Sequence, residues 1–251
     1  HFVELQQDAD DIVWIMLHSG SRNLGKKVAD YYNKLAMNLN KEWRSPVPRE
    51  YQLAYLPLDT PQGQDYMRAM NFCMVFAKEN RRMMLGKVFK AFTRYVSGYK
   101  GLEDDRQERP FDVHHNYAAI ENHYGQEVLV HRKGAVRARL GEKVIIPGSM
   151  GMFSYIGRGL GNSESFTSCS HGAGRAMSRT QARKEISAES VILAMREKGI
   201  ELFKARKRDV AEECDQAYKD IDTVMANQAD LVEITTKLKP IGVLKIGRAH
   251  V

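Results

Sequence analysis

The sequence predicts an α+β chain. Apolar runs of strand length lie near both ends and in the middle, a long helical periodicity occupies residues 24 to 99, and no internal repeat is visible. At 251 residues the chain can bury a sizeable core, and one domain over 1–251 is expected.

Taken in order, His1-Phe2-Val3-Glu4-Leu5 alternates as a strand end. Six apolar residues from Ile12 to Leu17 read as a buried strand that delivers His18 to the turn Ser19-Gly20-Ser21. Leu24, Val28, Tyr31, Leu35 and Leu39 then recur at helical spacing, and Ser45-Pro46-Val47-Pro48 stops that helix because proline cannot continue it. A linker through Pro61 leads to a helix from about Gln64 to Tyr99, whose Met67, Met70, Met74, Met83 and Met84 are read as flexible core filler. Gly98 to Pro110 is a charged loop. Asp112 to Asn116 opens a short helical pattern through Tyr117, Ile120 and Tyr124. Neighbouring residues on a helix diverge by roughly 100°, so only one of His114 and His115 faces a given centre. Strands follow at Glu127 to His131, Ala135 to Arg139 and Lys143 to Ile146, with a turn at Gly141. Gly148 to Gly161 reads as a flexible glycine-rich loop, and no Gly-Lys-Ser/Thr ends it as a phosphate-binding Walker loop requires. Helices are expected near Ser178 to Ile186 and Ala188 to Lys198, then a polar segment to Asp222. Two closing strands, Leu231 to Leu238 and Ile241 to Lys245, are broken at Pro240.

Lysine and arginine total 38 against 31 acidic residues, a formal charge of +7 that permits contact with a polyanion. The excess is uneven: five basic residues against one acidic between Arg132 and Lys143, and ten against five between Arg175 and Asp209. Lys204 to Arg208 read as a solvated helix face, a reading disfavoured for Arg132 and Lys133. Cys73, Cys169 and Cys214 have no paired spacing, which excludes a disulfide framework or zinc knuckle. Cys73 is expected in a core, and Cys169 is a poor second nucleophile. No apolar run approaches the ~18 residues of a membrane span, no signal peptide is visible, and a reducing cytoplasm is expected.

The most informative stretch is Ser168-Cys169-Ser170-His171-Gly172-Ala173-Gly174-Arg175. An imidazole is followed by three residues with almost no side chain, which lets backbone approach a ligand closely, and the forks of Arg175 and Arg179 suit phosphate oxygens. A histidine facing a bound phosphate and a plain turn histidine fit the local sequence equally well. His1, His18 and His114-His115 also lie in turn-like contexts. Imidazole suits Mn, Zn, Fe or Ni, and three separated histidines could converge on such an ion, although neither HExxH nor CxxC is present.

Five motifs together carry a resemblance: His18-Ser19-Gly20-Ser21-Arg22, Asp112 to Asn116, Val130 to Ala138, Pro147-Gly148-Ser149-Met150-Gly151, and Ser170 to Arg179. In this order the chain resembles the RtcB family of GTP- and manganese-dependent RNA ligases from His1 to about Lys245. That resemblance implies mixed strands around a central metal and nucleotide cleft, with helices packed outside. By the same resemblance His171 is the histidine that becomes covalently guanylylated, a nucleophile that splits one hard displacement into easier steps. His1, His18 and His115 match metal ligands in a two-metal Mn²⁺ site, where the ions neutralise phosphate charge. Glu4, Asn116, Ser149, Ser154, Ala173, Gly174, Tyr218 and Lys245 fall where the family holds the nucleotide. Arg22, Lys133, Arg175 and Arg179 are implied RNA-phosphate contacts. The implied partners are GTP and RNA carrying a 3′-phosphate or 2′,3′-cyclic phosphate and a 5′-hydroxyl, met by a monomer without a membrane, in RNA repair or tRNA splicing.

The chain departs from the family pattern in four places. It opens at His1, inside what is normally a Gly-Gly-Gly-Asn-His-Phe motif, without the Asn or the upstream Asp and Cys ligands. These 251 residues are therefore expected to carry part of the metal site and not to ligate by themselves. Asn23 stands where the family has Gly, His114 adds an imidazole beside the metal histidine, and Arg248 to Val251 read as a tail. Two other classes of function are left open: a metal-dependent phosphoesterase that hydrolyses cyclic phosphate ends, and a non-catalytic RNA-binding relative. Guanylylation of His171 separates the ligase from both.

Overall fold

The computed structural model describes residues 1–96, 110–203 and 207–245. They form two compact units, one of residues 1–18 with the described residues from 93 to 245, the other of residues 19–92. The expected charged loop at Gly98 to Pro110, apart from Pro110, the Lys204 to Arg208 face and the Arg248 to Val251 tail lie outside the described residues or side chains.

The first unit is built on a sheet. Strands β1 (Phe2–Gln7) and β2 (Val13–His18) pair as an antiparallel hairpin in which Phe2 lies opposite His18. Asp8 shapes their connection, since its carboxylate accepts from the backbone N–H of Asp10 (3.0 Å) and Ile12 (2.9 Å) and from the Trp14 indole (2.8 Å). On the other side of β1 runs a 14-residue strand that enters the sheet from the end of the described chain, Val232–Lys245. The strands β3 (Asn116–His123) and β4 (Gln126–Lys133) form a separate hairpin, and β5 (Ala135–Arg137) pairs with β8 (Ser168–Ser170). Between these lie β6 (Lys143–Ile146) and β7 (Ser154–Gly159). Numbering Glu201–Phe203 as β9 and Val232–Lys245 as β10, the main sheet has the order β2-β1-β10-β7-β6, with β9 parallel to β10.

Three readings from periodicity change. Tyr117, Ile120 and Tyr124 lie in or beside a hairpin, not a helix. Ile120 and Tyr124 are exposed, whereas Ala118, Glu121 and His123 are buried. The Tyr124-Gly125 turn has positive φ at both positions (54° and 77°), as a two-residue hairpin loop requires. The glycine-rich stretch is not wholly a loop, because Ser154–Gly159 is a buried strand whose Gly157 and Gly159 leave room for neighbouring backbone. Pro240 does not break the last strand. On one edge the β7 pairing ends at Leu238 and the β9 pairing begins at Gly242, so no described partner faces Pro240 there, and on the other edge Pro240 lies opposite Gln6, beside the register shift at Leu5/Gln6.

Helices α3 (Arg179–Glu185), α4 (Ala188–Glu197), α5 (Lys207–Glu212) and α6 (Ile221–Ala226) complete this unit once α1 and α2 are assigned to the other. Ser178, Ser187 and Asp220 cap α3, α4 and α6 by accepting from the backbone three residues on. One core gathers Val144, Ile146, Tyr155, Cys169 and Ala173 with Ile221 and Met225. A second gathers Met150, Ala182, Met195, Val210, Cys214 and Val243. The three cysteines are buried free thiols, and burial pushes Cys169 up to about 12, which removes it as a nucleophile.

In the second unit α1 (Leu24–Glu42) and α2 (Pro61–Tyr95) follow the expected periodicity, with Pro61 in the first turn of α2. Tyr32 turns inward to meet Tyr66 at 5.1 Å, while Tyr31 is exposed. Met67, Met70, Met74 and Met84 are half-buried, but Met83 is exposed, as are Phe72, Val75 and Phe76. The turn Ser19-Gly20 is held by Asn80, which donates to Ser19 Oγ (3.1 Å) and the Gly20 carbonyl (2.9 Å).

A buried ion pair fixes the approach to β8. Arg132 and Glu121, with side chains 1% and 2% exposed, form two hydrogen bonds of 2.7 and 3.0 Å, and Arg132 also donates to Ser168 Oγ and the Phe166 carbonyl, each at 3.0 Å. Phe166 and Thr167 both have positive φ (53° and 46°), so the guanidinium anchors a strained turn. Glu121→Gln leaves that guanidinium buried without its counter-charge and is expected to cost about 3–5 kcal/mol in urea unfolding at pH 7. Glu121→Leu with Arg132→Met should recover most of it. Arg132 holds the Glu121 carboxyl at about 2, below its ordinary 4.5, so its share of stability is present above pH 4.5 and disappears as pH falls toward 2. In the double variant that acid-dependent share should be missing.

Candidate functional site

β1 is the backbone of the site because it lies between β2 and β10. Its register sets Phe2 opposite both His18 and Lys245, and Glu4 opposite Met16 and Val243. Alternation puts Phe2, Glu4 and Gln6 on one face. Glu4 is 3% exposed and Gln6 wholly buried. The Gln6 amide donates to Glu4 Oε2 (2.7 Å) and to Ser154 Oγ (3.1 Å), and Ser154 Oγ accepts from Gly148 N–H (3.2 Å). Gln6 Oε1 is buried without a protein partner, an acceptor that a ligand donor could satisfy. Lys245 lies over the Phe2 ring at 4.9 Å, and its Nζ is 3.7 Å from Glu213.

Four histidine rings form a row. His1 and His18 have centroids 6.3 Å apart, His18 and His115 5.3 Å, and His115 and His171 5.5 Å. His18 also stacks on Phe2 at 5.4 Å. His114 pairs instead with Asp112 at 3.7 Å and meets the edge of Tyr117. Only one of the two adjacent histidines joins the row, as expected, but they precede a strand and not a helix. The three histidines expected at a metal thus include two close neighbour pairs of suitable donor type. Among the described residues no three His, Cys, Asp or Glu side chains are grouped so that they could hold an ion.

His171 is placed by backbone that lacks side chains. β5 and β8 set Ala135 opposite Ser170, and the His171 ring packs on Gly134, where a Cβ would come within 3.1 Å of Cε1. Gly134 N–H in turn donates to the His115 carbonyl (2.8 Å) and to Asn116 Oδ1 (2.9 Å), which ties the start of β3 to the seat of the His171 ring. After His171 the chain presses on Pro147: Ala173 N–H donates to its carbonyl at 3.0 Å, and a Cβ at Gly172 (φ 152°) would meet that oxygen at 2.8 Å. Burial lowers the His171 pKa below 6.5, opposed by a hydrogen bond with the Gly134 backbone, so the ring is neutral at pH 7.

Cationic residues converge on the acidic pair Glu212-Glu213. Tyr218 OH donates to Glu213 at 2.8 Å and accepts from Arg175 Nη1 at 3.2 Å, while Arg175 covers the Tyr218 ring at 5.0 Å. Arg175 and Arg179 approach Glu213 at 3.7 and 4.0 Å, and Glu212 holds Arg179 at 3.3 Å and Arg183 at 2.7 Å. Burial beside Glu213 raises the Tyr218 pKa, which keeps the phenol protonated. Ala173 is buried and Gly174 has φ 70°. Ser149 is buried with its hydroxyl on Asp215. Lys133 is exposed on β4, and Arg132, beside it, is committed to the ion pair with Glu121. Arg22 belongs to the second unit, where it has φ 51°. Sequence reasoning missed Gln6, Glu213 and Asp215. The one available signal was a polar residue at a buried position of an alternating strand, Gln6.

Desolvation raises Glu4 from 4.5 to about 7, against the pull of Lys245 and Gln6. Between those values the folded chain binds more protons than the unfolded one, so stability falls as pH rises through 4.5 to 7. Glu4→Gln should be stability-neutral near pH 4.5 and more stable than the wild type by up to about 3 kcal/mol at pH 8. Melting temperature against pH reads this; a variant no more stable at pH 8 contradicts it.

A family model described as tRNA-splicing ligase RtcB matches residues 1–246. The chain is similar to RNA-splicing ligase RtcB of Escherichia coli K12, 44% identical over 246 residues, covering 98% of this chain and 59% of that protein. It is also similar to tRNA-splicing ligase RtcB of Nanoarchaeum equitans (36% over 254 residues, 93% of this chain, 52% of that protein). RNA-splicing ligase RtcB of Mycobacterium tuberculosis is 34% identical over 257 residues, 94% of this chain and 57% of that protein. The chain thus spans between half and three fifths of the length of these relatives. With a family model that spans residues 1–246, and so the histidine row, the His171 loop and Lys245, the chain belongs to the RtcB family.

Proposed function

We propose that the protein is a GTP-dependent RNA ligase that joins a 3′-phosphate or 2′,3′-cyclic phosphate end to a 5′-hydroxyl end through His171. One observation carries the reading: a half-buried imidazole ends a row of three others and is followed four and eight residues later by Arg175 and Arg179. The printed names of the relatives, RNA-splicing and tRNA-splicing ligase, support the reaction class. The proposal treats 1–251 as one catalytic domain, a reading supported by a family match that runs across both units. A monomeric, cytoplasmic protein is part of the same reading. Among the described residues no helix is long and apolar enough to cross a membrane.

In the proposed cycle a ring nitrogen of His171 attacks the α-phosphorus of GTP. An N–P bond forms and pyrophosphate leaves. An oxygen of the RNA 3′-phosphate then displaces the histidine, so that the N–P bond breaks and a phosphoanhydride forms. Attack by the 5′-hydroxyl oxygen makes the phosphodiester and releases GMP. A cyclic phosphate is first opened by water. Burial keeps His171 unprotonated for the first attack. Glu4, Gln6 and Ser154 offer a buried polar line for the nucleoside, with Asn116, Ala173, Gly174, Tyr218 and Lys245 around it. Arg175, Arg179 and Lys133 take RNA phosphates, Arg as bidentate clamps, and Arg22 is a further phosphate contact offered by the second unit by itself. Phosphate entry requires Glu212 and Glu213 to share or release their cations. A manganese ion, which His1, His18 and His115 suit in donor type, supplies Lewis acidity at the phosphates when bound.

Incubation of the full-length protein with α-³²P-GTP and Mn²⁺, followed by a denaturing gel, tests the proposal. Label should appear on the wild type, fall below about 1% in His171→Ala, and vanish in EDTA. A folded, metal-loaded wild type that takes no label would sink the ligase reading in favour of a cyclic-phosphate hydrolase or an RNA-binding relative.

A further inference from the structure

Asp215 opens the short 3₁₀ turn Asp215–Ala217, far in sequence from the loop after β6, yet both of its oxygens are used by that loop or its neighbour. The Ser149 hydroxyl donates to Oδ1, and Gly151 N–H donates to the same oxygen at 3.0 Å. Lys198 Nζ donates to Oδ2 at 2.5 Å and to the Gly151 carbonyl at 3.1 Å. Gly151 is needed for this packing, because a Cβ there would lie 2.7 and 2.8 Å from the two carboxylate oxygens. Met150, between the two tethered residues, is fully buried in the core that also contains Cys214 and Ala217. The turn 149–151 is therefore fixed at its centre by apolar packing and on both flanks by one carboxylate.

A hydroxyl has one proton and two lone pairs, and a carboxylate only accepts. The Ser149 proton is thus committed to Asp215, and what Ser149 presents to a ligand is lone pairs. We infer that Asp215 is a positioning residue that locks the 149–151 turn and makes Ser149 a pure acceptor toward the nucleotide, so that Ser149 reads an N–H or O–H donor of the nucleoside. A phosphate oxygen brings no proton at neutral pH and meets the negative charge of Asp215 behind the serine, which disfavours it. The inference rests on the proposed nucleotide site for its ligand, but the lock itself does not.

Two measurements on the full-length protein test it. Hydrogen exchange at the Gly151 amide, without nucleotide, should be faster by about tenfold or more in Asp215→Ala than in the wild type, with the melting transition still cooperative. Unchanged exchange overturns the lock, whatever happens with GTP. Guanylylation is then compared for GTP, ITP, 2′-deoxy-GTP and 3′-deoxy-GTP, which remove the base amine or one sugar hydroxyl in turn. The wild type should discriminate against one analogue by about tenfold or more in kcat/KM. Asp215→Ala should lose that one discrimination through KM and keep the others, Ser149→Ala should lose the same one, and Asp215→Asn, which retains an acceptor oxygen, should largely restore it. A uniform loss across all four nucleotides, or no discrimination in the wild type, overturns the acceptor assignment. Should GTP leave no label on the wild type, the ligase reading fails, while faster exchange in Asp215→Ala still supports the lock.

Discussion

A charge cannot be taken out of water alone, and that requirement organises the interior of this chain. Arg132 is almost wholly enclosed and is therefore met by both oxygens of Glu121. Having been brought inside, its remaining donors fasten the turn from which β8 and then His171 emerge. Glu4 is enclosed with less compensation, a single amide and the more distant Lys245, and responds by holding its proton up to about pH 7. Around Glu212 and Glu213 the same rule acts in reverse, collecting three arginines, a lysine and a phenol about two carboxylates. Where the proposed function places a polyanion, the chain supplies carboxylates of its own. On that proposal, binding would exchange one anionic partner for another and keep the cations ordered.

The two kinds of backbone support around His171 have different physical origins. Gly134 and Gly172 let ring and main chain approach more closely than any side chain would allow. Asn116 and the His115 carbonyl then share the Gly134 N–H, so the strand that brings in one imidazole also supports the seat of another. The row of rings is in this sense a consequence of hydrogen bonds that no ring makes.

Much of the architecture was legible in the sequence because it depends on local order: the long helices of the second unit, the strands around the middle, and the family motifs that single out His171 and the other histidines. The misread elements fail for identifiable reasons. Tyr117, Ile120 and Tyr124 have helical spacing, but periodicity counts apolar letters and does not say which of them face water. Pro240 reads as a break because a single strand gives no sign that its pairing partner changes at that point. Gln6, Glu213 and Asp215 left little trace, since what makes them matter is distant: Gln6 meets Ser154 across 148 positions, and Ser149 meets Asp215 across 66. A carboxylate whose partner is so remote looks like any surface acid until the chain is folded.

The long strand β10 runs beside β1 and β7, and it brings Lys245 to Phe2 and to the neighbourhood of Glu4. Strand pairing thus joins the first and last segments described, a pairing of very high sequence separation. Such contacts form late, because the loop they close runs from β1 to β10. The hairpin of β1 and β2 can form early, but the other edge of β1 stays open until β10 has been made. A chain without β10 would keep the residues of its histidine motif, yet would lose the strand that sets Lys245 beside Phe2.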